Sequence, residues 1–147
     1  MGAPARRVLP PEERERRTLR LAEVLAREEV VLFAYLLGSF IEGRAFEDVD
    51  VAVFLNPAHR DALDPLSVQL DLAARLEEAI GLPVEVVLLN DAPLGLRAAA
   101  LRGRLLDSRD EAGRVALLKR TGLARMDMAF LARESLRDLL ALNFTKP

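Results

Sequence analysis

Cysteine and tryptophan are absent from this chain of 147 residues, histidine and tyrosine occur once each, and aromatic residues make up only 5% of it. Without thiols there is no disulfide framework, no thiolate metal site and no thiol nucleophile. His59 on its own excludes a two-histidine metal cluster and argues against a serine–histidine hydrolase. No apolar run is long enough to span a bilayer or to form the apolar core of a secretory signal, so the expectation is a cytoplasmic protein with no membrane association. A basic surface is also missing. The net charge is −2, and charges of both signs are mixed, as in the run from Pro11 to Arg17, which speaks against direct nucleic-acid binding.

What the chain does have is a core. It is 51% hydrophobic and 30% charged, ordinary for one globular domain of this length. Residues 1–9 read as a loose tail. Pro10-Pro11 opens a helix to about Glu28, with Leu21, Val24 and Leu25 at helical spacing. Val30–Leu37 and Val49–Leu55 read as strands, and Asn56-Pro57 ends the second. Asp64-Pro65 starts a helix as cap and first residue, Gly81 ends it, and Leu66, Leu70, Ala73, Leu76 and Ile80 form its expected buried stripe. Val84–Leu89 is a third strand, Pro93–Arg102 a short helix and Arg104–Leu106 a short strand.

Asp110 then caps a helical segment over 110–142, with Thr121-Gly122 marking where an interruption would fall. Leu117, Ala124, Met128, Leu131 and Leu142 line one stripe of it, and Leu118, Phe130, Leu136, Leu139 and Leu140 fall largely outside. One domain of the α/β class is expected over 1–147: a small mixed sheet with helices packed mainly on one side.

The most informative stretch is Gly38-Ser39-Phe40 followed by Asp48-Val49-Asp50. Side chains alternate along a strand, so Asp48 and Asp50 project from one face. Paired carboxylates repel unless a cation lies between them, and hard oxygen ligands suit Mg²⁺. A glycine and a small hydroxyl at a strand exit let backbone N–H groups approach a phosphate. Together these supply the minimum for moving a phosphorus centre. Glu85 is the one charge in an otherwise apolar strand that reads as buried on both faces. It completes a carboxylate triad if that strand lies beside the second one. Gly43-Arg44, in the connection, offers a guanidinium to a triphosphate. His59 reads as a surface residue and Tyr35 as core. The Met126, Met128 and Phe130 cluster reads as packing or a partner-facing patch.

Through these residues the chain resembles the nucleotidyltransferases of the DNA polymerase beta superfamily, above all their minimal nucleotidyltransferase branch, over about Val30 to Leu106. The resemblance implies a polymerase-beta-type core and Mg-dependent transfer of a nucleoside monophosphate. Gly38 and Ser39 would hold the triphosphate, Asp48 and Asp50 two Mg²⁺ ions, and Glu85 would complete the metal site and help deprotonate the acceptor. Such proteins are often encoded beside a small helical HEPN ribonuclease and act as its antitoxin, moving AMP from ATP to a toxin tyrosine. The implied partners are thus ATP and a HEPN-family toxin, with a second copy of this chain as another candidate for the surplus apolar surface of the last helix. Two other functions stay open: a small-molecule, antibiotic-type nucleotidyltransferase, and an antitoxin that binds without catalysis.

Overall fold

Pro11 begins helix α1 (Pro11–Ala26), where its missing N–H leaves no donor unpaired, and Glu12 and Glu13 sit at the positive end of the helix dipole. The structure is a computed structural model that describes residues 6–60 and 64–145. Strands β1 (Val31–Leu37) and β2 (Val49–Leu55) follow, then a single-turn helix α2 (Pro57–Arg60) and helix α3 (Pro65–Ile80). Strand β3 (Val84–Leu88), helix α4 (Leu94–Leu101), strand β4 (Arg104–Ser108) and helix α5 (Glu111–Thr145) complete the order.

The helix ends follow the local chemistry. Asp64 accepts a hydrogen bond from the Leu66 N–H at 3.3 Å, and Gly81, at φ 69°, closes α3 with its N–H on the Glu77 carbonyl at 2.8 Å. Asp110 accepts from the Gly113 N–H at 2.9 Å. The far end of β2 is closed by Asn90, whose side chain both donates to and accepts from the Leu55 backbone at 2.9 Å.

The sheet has the order β3-β2-β1-β4, with β2 and β3 parallel and both other pairs antiparallel. A parallel pair needs a crossover, and α3 supplies it. Alternation along the strands divides the core in two. On one face Ala34, Leu36, Val49, Val51, Val53 and Leu55 pack under α1 and α3, against Leu21, Leu25, Leu72 and Leu76. On the other, Phe33, Tyr35 and Ala52 pack against Ala100 of α4 and Leu117 of α5. Each of these large side chains contributes roughly 1.5–3 kcal/mol on burial. The mixed sheet and long final helix agree with the sequence reading. Most helical cover lies over the α1/α3 face, and the smaller second cluster leaves room for polar groups at its end.

Several details differ. Leu66 and Leu70 are exposed; the buried stripe of α3 is Leu72, Leu76 and Ile80, because the helix turns a neighbouring apolar strip toward the sheet. β3 is an edge strand rather than one buried on both faces, and its Val86 carbonyl accepts from Gln69 Nε2 at 2.8 Å. The expected tail is fastened at Arg7, whose N–H and carbonyl both pair with Phe46 at 2.9 Å; residues 1–5 lie outside the described residues. Helix α5 runs through Gly122 without a break, since one helical glycine costs only about 1 kcal/mol. Its first turns are held by Leu117 and by Arg114, which donates to the Tyr35 hydroxyl at 2.9 Å. Beyond them Met128 and Leu131, expected in the docking stripe, are exposed. The side chain of Leu142 lies outside the described residues. No helix among the described residues is long and apolar enough to cross a membrane.

Candidate active site

Asp50 is the first polar side chain of β2 and shares the sheet face of Ala52. Its Cα partner across the parallel ladder is Glu85 of β3, and across the antiparallel ladder it is Leu37, the last residue of β1. Residues in register point the same way, so this pairing sets two carboxylates side by side. Asp48 precedes the strand, exposed. A pocket of about 420 Å³ is lined by Asp48, Asp50 and Glu85 together with Ser39, Arg44 and Arg6.

The electrostatics show how crowded the group is. The Asp50 carboxyl is pushed up to about 6, first by burial, then by the charges of Glu85 and Asp48 and by a hydrogen bond shared with Glu85. Glu85 is exposed on the edge strand, whereas Asp50 is only partly exposed.

Gly38 lies against this acid. Its φ is 89°, and a Cβ there would fall 2.4 Å from Asp50 Oδ2. Only glycine meets both conditions. The connection then folds tightly: the Glu42, Gly43 and Arg44 N–H groups donate to the carbonyls of Gly38, Phe40 and Ser39. It is pinned to the core by Phe40 and Phe46, buried and edge-to-face at 5.0 Å. Those two aromatics, one after Ser39 and one before Asp48, hold both ends of the site-forming loop.

Every site residue expected from the sequence except Gly38 lines this pocket, and Gly38 forms its wall at Asp50. Arg44 is on the rim, where its guanidinium pairs with Glu42. Arg6 was missed because the segment holding it read as a tail; the Arg7–Phe46 bridge brings it in, and no local pattern announces that bridge. His59 is exposed on α2, and Tyr35 is core, edge-to-face with Phe33.

The donor set fits a divalent cation in its chemistry. Three carboxylates face one pocket, and Asp50 is raised first by burial and then by its acidic neighbours, the part of the cost that a cation relieves. A ready-made cage is absent: among the described residues no group of three His, Cys, Asp or Glu side chains is placed to hold a metal as it stands. Asp50 and Glu85 are hydrogen-bonded to each other, and Asp48 lines the same pocket from an exposed position before the strand.

Comparison with known proteins bears on the family and the fold. Residues 20–112 match the model of the family described as polymerase beta, nucleotidyltransferase. No curated protein matches the chain. Among solved structures, the toxin–antitoxin pair MntA–HepT contains a chain of similar fold, with a TM-score of 0.57 at 18% identity, covering 88% of this chain and 98% of that one. A toxin–antitoxin structure with AMP-PNP gives 0.58 at 20% identity, covering 89% and 99%. A complex of tri-AMPylated Shewanella oneidensis HEPN toxin with MNT antitoxin gives 0.58 at 19% identity, covering 84% and 98%.

Proposed function

The chain belongs to the polymerase beta nucleotidyltransferase family, and from that premise we propose that it transfers AMP from ATP to a hydroxyl of a partner protein, a HEPN-family toxin, as its cytoplasmic antitoxin. The observation that carries this reading is the meeting of Asp48, Asp50 and Glu85 with Ser39 in one pocket beside the glycine turn of Gly38. The similar chain that accompanies an AMPylated HEPN toxin supports the choice of partner.

In this reading the Gly38-Ser39 turn receives the phosphates, since no side chain at Gly38 keeps the backbone from them. The acceptor oxygen attacks the α-phosphorus in line, the bond to pyrophosphate breaks, and Glu85 takes the acceptor's proton. Mg²⁺ bound by Asp48, Asp50 and Glu85, two ions in the proposed form, would neutralise phosphate charge and lower the acceptor's pKa. The acceptor itself must come from elsewhere. Past its docked turns α5 exposes Leu123, Met126, Met128, Phe130, Leu136 and Leu139, an apolar surface suited to a protein that carries the hydroxyl.

The test is transfer of label from α-labelled ATP, with Mg²⁺, to the product of the neighbouring gene. Labelling of that protein, lost with Asp48→Asn and Asp50→Asn in a folded double variant, is expected. Tight binding of the partner with no label transferred would replace this reading by a non-catalytic antitoxin. Label on a small molecule instead would make the chain an antibiotic-type enzyme.

A further inference from the structure

Away from the carboxylates, α4 and α5 enclose a groove of about 130 Å³ at the point where α5 leaves the body of the protein. Ala98 and Leu101 of α4 line it with Leu118, Thr121, Gly122 and Arg125 of α5, and Arg102, at the C-terminal cap of α4, joins them. The α5 residues stand at i, i+3, i+4 and i+7, so they form one stripe of that helix, turned toward α4.

The chain's own packing leaves this groove unsatisfied. Thr121 is only 4% exposed, yet its hydroxyl has no hydrogen-bond partner among the described residues. A buried polar group left alone costs stability, and most find a partner. Gly122 weakens the helix without any need of this fold, because a Cβ there would meet no atom within 4 Å. Arg102 and Arg125 bring two positive charges to a groove with no acidic residue in its lining. Elsewhere guanidiniums are tied to carboxylates: Arg75 to Glu28, Arg104 to Glu15 and Arg114 to Glu111. Neither Arg102 nor Arg125 has such a partner among the described residues.

A negatively charged hydrogen-bond acceptor answers all of these at once. Small-molecule sites occupy about 300–1,000 Å³. The groove, at about 130 Å³, has room for one carboxylate, with its methylenes against Ala98, Leu101 and Leu118. Its surroundings favour a protein as the bearer. Leu123 and Met126, next along α5, are exposed, and protein interfaces set charged contacts around such apolar surface. We propose that the groove receives an aspartate or glutamate side chain of the partner protein, with Arg125 and Arg102 as counter-charges and the Thr121 hydroxyl donating to it. A guanidinium can meet both carboxylate oxygens. Over Gly122 no side chain stands in the way of the partner's approach. The proposal rests on the partner-directed reading and adds its recognition chemistry: an acid beside the surface that covers α5.

Calorimetry of the wild type and variants with the product of the neighbouring gene, at low and high salt, tests it. Arg125→Ala and Arg102→Ala should each bind about tenfold more weakly, the worth of a charge-assisted hydrogen bond, and lose part of the salt dependence. Thr121→Val should bind about tenfold more weakly and yet melt no lower than the wild type, an opposition that a structural threonine would not produce. In the label-transfer assay the variants should need more partner, with the rate at saturation within about twofold. Arg125→Lys supplies an amine for carbodiimide coupling, and an aspartate or glutamate of the partner should be found joined at position 125. Unchanged affinity in every variant, or coupling at that position only to a second copy of this chain, would overturn the proposal and leave the partner reading standing. A short RNA that binds the wild type and is lost from these variants would make the groove a phosphate site and overturn it likewise. A wild-type chain with no affinity for the neighbouring protein would remove the partner reading itself, and the proposal with it.

Discussion

Asp50→Asn should make the free protein more stable, and only above a definite pH. The Asp50 carboxyl titrates at about 6 in the folded chain against 3.8 ordinarily, a difference of about 2 units. At 1.36 kcal/mol per unit this corresponds to roughly 3 kcal/mol, and solvent screening of a half-buried group reduces it to about 1–2 kcal/mol. The sign follows from proton binding. Between pH 4 and 6 the folded chain keeps a proton that the unfolded chain has lost, so stability falls as pH rises through that window. Above it the full penalty stands. Asparagine cannot ionise and can donate to Glu85, so the penalty disappears in the variant.

For a chain of this size 1 kcal/mol moves the melting temperature by about 2–4 °C, so the variant should melt about 2–8 °C higher at pH 8 and level with the wild type at pH 4. Thermal melts followed by circular dichroism from pH 4 to 8, without divalent ions, measure this. Added Mg²⁺ should raise the wild type at pH 8 and leave the variant nearly unchanged. A variant that melts lower at pH 8, or a difference independent of pH, would refute the view that burial and acidic neighbours together penalise an ionised Asp50.

Two further substitutions probe the same physics elsewhere. Gly38→Ala puts a side chain at φ 89° and onto Asp50 Oδ2; backbone strain should cost about 1–2 kcal/mol in a denaturant titration. The displaced carboxylate should lower transfer about 100-fold, which a rate assay on labelled ATP would show. Thr121→Val removes a buried hydroxyl, Thr121 Oγ1, that has no hydrogen-bond partner among the described residues. It should stabilise the protein by about 1 kcal/mol in urea, and a loss of that size would mean the hydroxyl is satisfied.

Much of this protein is written locally. Short apolar runs mark β1 and β2, the Asp64-Pro65 and Gly81 signals bound α3, and Asp110 starts α5, because run length and capping act within a few residues. The pattern of Gly38, Ser39, Asp48 and Asp50 is local too, and all four residues meet at one end of the sheet. The α3 stripe was less legible, since Leu66 and Leu70 also recur at helical spacing. Only the angle at which α3 docks decides which apolar strip is buried.

The strands, the helix caps and the pairing of a glycine turn with two aspartates each depend on neighbours along the chain, and so are readable in it. What those residues meet depends on how distant segments pack. Glu85 joins Asp50 through the parallel register of β2 and β3, and Arg6 enters through the Arg7–Phe46 bridge. Strand order and register come from burial and backbone pairing between segments far apart in the chain, and no short pattern encodes which segments those are.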